Sequence, residues 1–271
     1  MSPQLPPQQL IDWIAQTAAS QRDQAEQALS AILFQLLQFC LGRLNQHVGN
    51  ATGLLVQNGP FAGMRCLAEA ADKPGFMPKL IGCYESELHS MLTQFARRGY
   101  DRIINLGCED GFYAVGLSRL LPRTPVFAFD ADATNQALCR QLAAVNGVGD
   151  RVMVGGQCGA AEIQTLIVPN TLLFCDIEGA ERQMLDPAII PGLTGCDILV
   201  EIHEFLDPAL PGLIRDRFRP THEITMIPQS GRNPSAWPLL RTMSQFDQFL
   251  GVYEGRPGAT PWAFLSPRSA S

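Results

Sequence analysis

At 271 residues, 46% of them hydrophobic, the chain is long enough for one large domain or one domain with an appendage. A formal net charge of -6, with no run of like charges, excludes a nucleic-acid partner held mainly through phosphate contacts. Eight cysteines without a Cys-x-x-Cys pair, several inside apolar runs, exclude a disulfide framework or zinc ribbon; they read as reduced thiols, and the sequon Asn50-Ala51-Thr52 carries no expectation.

Met1-Ser2-Pro3-Gln4 shows no basic segment leading into an apolar run, and no stretch approaches the roughly 20 apolar residues of a membrane-spanning helix. A cytoplasmic protein with no membrane partner is therefore expected. Residues 8–47 are rich in Gln, Ala and Leu, and Ile11, Ile14, Ala18, Leu29, Ile32, Leu36 and Leu37 recur at helical spacing, which predicts two helices. Such a pair serves as a lid, a homodimer surface or plain packing. Residues 50–83 are irregular, punctuated by Asn58-Gly59-Pro60 and Lys73-Pro74-Gly75. A helix is predicted over 84–98, acidic in its first turn and basic in its last.

From residue 100 the texture is β-α-β. Apolar strands are predicted at 102–106, 126–130, 151–154, 172–176 and 197–202, with helices at 112–121 and 134–146. Pro122 and Gly147 end those helices. Continuous apolar strands alternating with helices imply a parallel sheet covered on both faces. A helix near 208–218, a strand at 222–228, a helix near 237–250 and a strand at 262–265 follow; the last two strands suit an antiparallel pair at the sheet edge. The expected fold is α/β: a Rossmann-like, seven-stranded, mostly parallel sheet with helices on both faces. Residues 1–98 are expected to form an N-terminal helical extension and lid, and 99–271 the ligand-binding core.

Residues 105–111 carry the first chemistry. A strand runs into a turn with Gly107 and Gly111 and opens a helix, an arrangement that lets backbone N–H groups approach a ligand. The next strand ends in Asp130, about 20 residues on, where a carboxylate either accepts from both hydroxyls of a ribose or caps the following turn. Loop and acid together point to an adenosine-containing cofactor and leave its identity open.

The run Ile103-Ile104-Asn105-Leu106-Gly107-Cys108-Glu109-Asp110-Gly111-Phe112-Tyr113-Ala114 resembles the first motif of class I S-adenosylmethionine (SAM)-dependent methyltransferases, and Phe127-Ala128-Phe129-Asp130 the acidic second motif. Asp176-Ile177-Glu178-Gly179-Ala180-Glu181 resembles the signature of the FkbM-like members. The resemblance covers residues 100–205. It departs at Asn105, where the family carries an acid; Glu109 or Asp110 is the substitute charge for the methionine ammonium. The resemblance implies SAM as cofactor, held by Asn105, Gly107, Cys108, Glu109, Gly111, Asp130, Ala131, Gly156, Gln157, Asp176 and Tyr84. Of these, Gly107 and Gly111 would approach the methionine part, Asp130 the ribose and Gly155-Gly156-Gln157-Cys158 the adenine, while Asp176 would face the reacting methyl.

His203, at the end of the fifth strand, is the acceptor-side base in this reading, with Asp176 and Glu201 beside it; otherwise it is a structural histidine. The carboxylates around it suit a divalent ion. They show no contiguous ligand spacing, so no metal is expected, and Glu178 and Glu181 read as helix caps. Tyr84 in Gly82-Cys83-Tyr84-Glu85 and the segment Glu254-Gly255-Arg256-Pro257 border the substrate or form turns. The implied activity is methyl transfer to an O or N atom of a small-molecule acceptor. A SAM-using enzyme that does not methylate and a SAM-binding regulatory or scaffold module are the alternatives.

Overall fold

Five apolar strands run parallel: β1 (Arg102–Leu106), β2 (Val126–Phe129), β3 (Val152–Gly155), β4 (Thr171–Cys175) and β5 (Asp197–Glu201). In this computed structural model, which describes residues 6–20, 25–73 and 75–268, β7 (Trp262–Pro267) pairs antiparallel with both β5 and β6 (His222–Ile227). The sheet order is β3-β2-β1-β4-β5-β7-β6. The expected Rossmann-like, mostly parallel seven-stranded sheet is therefore the observed one, including the antiparallel pairing near its edge.

The pleat explains the two apolar layers. Successive strand residues face opposite ways, so Ile103 joins a cluster with Val115, Leu117 and Phe174, while Ile104 joins one with Leu173, Ile198 and Ile214. Helices α5 (Phe112–Leu120), α6 (Ala133–Val145), α7 (Ala160–Leu166), α8 (Glu181–Met184) and α9 (Leu210–Phe218) follow β1 to β5 in turn. At the edge, β6 buries only His222 and leaves Glu223, Thr225 and Met226 open to solvent.

Upstream lie α1 (Pro7–Ser20), α2 (Ala25–Thr52), α3 (Phe76–Ile81) and α4 (His89–Arg98). Leu44 and Val48 of α2 share an apolar cluster with Phe95 and Ile103, so one core runs across residues 98 and 99. The first half of α2 leaves Leu29, Leu33 and Phe34 exposed. One expectation is corrected here: the stretch Glu26–Thr52 is long and apolar enough to cross a membrane by length and composition alone. Interspersed Gln and Gly residues hide that in the sequence, and the seating of Leu44 and Val48 accounts for its second half. Met1–Gln4 and Pro74 lie outside the described residues.

Three helix boundaries differ from expectation. The helix predicted from residue 84 starts at His89, because Glu85 adopts a left-handed φ of 44° and Ser86–Leu88 form a 3-10 turn. Within the stretch expected to be irregular, α3 is a six-residue helix with all six side chains buried, so it shows no amphipathic period. The helix predicted over 237–250 is reduced to α10 (Gln245–Gly251), because Met243 and Ser244 are extended (ψ 164° and 154°) and Ser244 caps the helix by accepting from the N–H of Asp247.

His222 is fully buried; its Nε2 donates to the carbonyl of Cys196 at 2.9 Å, and Nδ1 lies 2.8 Å from the hydroxyl of Thr221. Burial lowers its pKa, so the unfolded chain takes up the proton first. The stability held by the neutral ring is therefore present above about pH 6.5 and is lost as pH falls from there through the lowered pKa of the folded state. Urea midpoints measured at pH 7.5 and 5.5 should drop less for His222→Gln than for the parent; equal drops would reject the assignment.

Candidate functional site

The carboxyl ends of β1 to β5 open on one cleft of about 740 Å³, within the range of small-molecule sites. At the end of β1 the chain turns at Gly107, whose φ is +74°, so closely against the β4 loop that a Cβ would sit 1.5 Å from the carbonyl oxygen of Asp176. Only glycine lets these two loops meet. Gly111 opens α5 with φ +92°, where a Cβ would lie 2.8 Å from the sulfur of Cys139.

Asp130 leaves the end of β2 with its carboxylate on the cleft wall. It accepts from the N–H of Glu109 and the N–H of Asp132, both at 2.9 Å, and from Asn135 Nδ2 at 3.1 Å. A carboxylate offers about four acceptor directions, so a position remains for a ligand hydroxyl. Gly107, Glu109, Ala131, Gly156, Gln157, Asp176, Tyr84, Glu201 and His203 line the same cleft. Asn105, Cys108 and Gly111 do not. Asn105 is fully buried within β1, Cys108 is buried beneath the loop, and Gly111 lies against Cys139. The pleat and the loop turn their side chains or Cα inward, away from the cleft lining where they were expected.

Asp110 is buried, accepts from the N–H of Phe112, lies 3.2 Å from Lys79 Nζ and does not line the cleft. Glu109 faces the cleft while Lys79 holds one carboxylate oxygen at 2.8 Å and Lys73 the other at 3.5 Å. Lys73 Nζ also donates to Asn135 at 2.7 Å. Neither lysine stands out in the sequence, because their partners lie 30 or more residues away.

The opposite end of the cleft is acidic. His203, 2% exposed, donates from Nδ1 to Glu181 Oε1 at 2.7 Å, and Glu181 is itself fully buried. Its Nε2 faces Glu178 and Glu201 at 3.4 Å and Asp176 at 3.6 Å. Burial by itself would lower the imidazole pKa, but the hydrogen bond to Glu181 and the charge of Glu201 outweigh it and raise it. Burial and the charge of Glu201 push the Asp176 carboxyl well up. Glu181 was expected to cap a helix; its carboxylate instead orients His203.

Arg256 closes this end. It lies 2.6 Å from Glu85, 2.8 Å from Glu201 and 2.9 Å from Glu254, all buried or nearly so. Arg232 ties Glu87 at 2.6 Å to Glu254 at 2.8 Å and donates to the carbonyl of Cys83 at 3.0 Å. Tyr113 donates to Glu85. Tyr84 and Glu85 of the segment 82–85 and the segment 254–257 line the cleft, joined by buried ion pairs.

No family model and no curated protein matches the chain. Among solved structures, it is similar to an O-methyltransferase from Bacillus cereus in complex with SAH, at 14% identity over 84% of this chain and 90% of that one, TM-score 0.46. It is similar to the O-methyltransferase TomG from Streptomyces achromogenes in complex with SAM, at 15% identity over 84% and 99%, TM-score 0.46. A precorrin-6y C5,15-methyltransferase from Geobacter metallireducens shares 12% identity over 67% and 87%, TM-score 0.45. At this overlap the likenesses carry no argument about the chemistry of this chain.

Proposed function

We propose that the chain is a SAM-dependent methyltransferase acting on an O or N atom of a small-molecule acceptor. One observation carries the reading: the glycine turn at Gly107, the carboxylate of Asp130 and the acidic end of β4 at Asp176 open on a single cleft at the carboxyl edge of a parallel sheet. The residues fit the cofactor. Asp130 has an acceptor position left for a ribose hydroxyl, Glu109 offers a carboxylate to the methionine ammonium, and Lys73 lies beside it for the methionine carboxylate. Gly156 and Gln157 border the adenine end.

When bound, SAM supplies a methyl group on a sulfonium, and its C–S bond breaks as the acceptor lone pair forms the new bond. The protein's part is to align the acceptor. Asp176, Glu201 and His203 form the wall against which it lies, and Arg256 fixes Glu201 through one oxygen while the other faces His203. Glu181 holds the Nδ1 proton of His203 and leaves Nε2 as the nitrogen that would take an acceptor's proton.

A thermal shift with SAM, S-adenosylhomocysteine and NAD tests the reading. A ligand at ~100 times its Kd stabilises by about 2.7 kcal/mol, roughly 5–10 °C for a chain of this size. Shifts with the first two and none with NAD are expected; no shift with either would sink the proposal.

A further inference from the structure

The acid-and-histidine cluster at the ends of β4 and β5 is more than an acceptor wall. We infer that Asp176, Glu178 and His203 form a binding site for a divalent first-row transition ion, of the Mn²⁺ or Zn²⁺ class. One ligand atom from each lies within 4.8 Å of the others. Tetrahedral ligands about 2.1 Å from an ion stand roughly 3.4 Å apart, and His203 Nε2 lies 3.4 Å from Glu178 and 3.6 Å from Asp176. Those separations are long for hydrogen bonds, whereas the bond on the other ring nitrogen is 2.7 Å.

That inner bond is the second strand of the argument. Glu181, fully buried and 22 residues before His203, accepts the Nδ1 proton and leaves Nε2 as the nitrogen aimed into the cluster. A buried carboxylate behind a histidine whose other nitrogen faces carboxylates is the arrangement that orients a metal ligand and raises its basicity. The third is Asp176 Oδ1, a buried oxygen with no hydrogen-bond donor among the described residues. Surrounded by Glu178 and Glu201 and the 98%-buried His203, it needs a cation or a proton. Arg256 does not serve, because it meets Glu201 through the far oxygen, Oε1.

The donor set chooses the ion. One imidazole with two carboxylates suits Mn²⁺ or Zn²⁺ better than Mg²⁺ or Ca²⁺, which prefer oxygen alone. Glu178, with a side chain 77% exposed, leaves the site open to solvent and to a ligand from the acceptor. An acceptor hydroxyl held there becomes more acidic and gives its proton to solvent water. This use rests on the methyl-transfer reading; the site itself does not.

Tag-free full-length protein, stripped with EDTA and dialysed, is titrated with Mn²⁺ while the free ion is followed by electron paramagnetic resonance. One site per chain is expected, displaced by Zn²⁺ and weakened at least 10-fold in His203→Ala and Glu178→Ala. Glu181→Gln should weaken it by about 10- to 100-fold. Glu178→Ala guards against misfolding, since that side chain is exposed. Absence of saturable Mn²⁺ and Zn²⁺ binding, or Glu178→Ala binding as tightly as the parent, overturns the site. Ion binding without a SAM shift keeps the site and removes the methyl-transfer reading; a SAM shift without ion binding does the reverse.

Discussion

Replacing Arg256 with leucine is expected to destabilise the fold by about 3–5 kcal/mol, the usual cost of removing one partner of a buried ion pair. An exposed pair would lose under about 1 kcal/mol. The side chain is 11% exposed, and its partners Glu85, Glu201 and Glu254 are 2%, 8% and 7% exposed, so the buried figure applies. A fall in Tm of roughly 10 °C follows at this size. The loss should depend on pH. Burial and the charge of Glu201 push Glu85 up to about 8, above its unfolded value of about 4.3. The stability tied to its protonated form is thus present at low pH and fades as pH rises to about 8. Arg256 offsets that loss by stabilising the ionised form, so the variant's deficit should be larger at pH 8.5 than at pH 6. Equal deficits at both pH values, or a Tm change under about 2 °C, would show that the network is not held by charge.

The parallel strands were legible because both of their faces are buried, which produces unbroken apolar runs such as Leu172-Leu173-Phe174-Cys175. The residues at their carboxyl ends were legible by the same token, since the topology alone brings Gly107, Asp130, Asp176 and His203 to one edge. What sits inside the turns was not. Nothing in the spacing of Asn105 shows that its side chain points into the core, and only the register of β1 against β2 and β4 decides it. The short helix α3 escaped because a segment buried on every side has no period.

The ion pairs escaped for another reason. Arg256 meets Glu85 across 171 residues and Arg232 meets Cys83 across 149, and no local pattern encodes such partners. The acidic start predicted for the helix at 84–98 was thus a correct observation with the wrong cause. Glu85 and Glu87 are paired with buried arginines and do not serve a helix dipole. The ion-binding cluster shows the same limit. Asp176 and His203 lie at the ends of neighbouring strands, and contiguous ligand spacing is a test that such a site cannot meet.

Asp130→Ala is expected to weaken SAM by roughly 10- to 100-fold and so to cut the thermal shift by about half or more. A hydrogen bond to a charged group contributes about 1.5–3 kcal/mol, and the loop leaves one acceptor position on Asp130 for a ribose hydroxyl. The alanine also frees the N–H groups of Glu109 and Asp132 and the amide of Asn135, loosening the loop that carries the cofactor. Asp130→Asn separates the two effects. It keeps Oδ1 for Asp132 and Asn135 but gives up the bond from the N–H of Glu109, so its unliganded Tm should fall less than the alanine variant's while SAM affinity falls by roughly 10-fold. If the asparagine variant binds SAM as the parent does, the carboxylate serves the loop and not the ribose. The assignment of an adenosine cofactor to this cleft would then lose the residue on which it most depends.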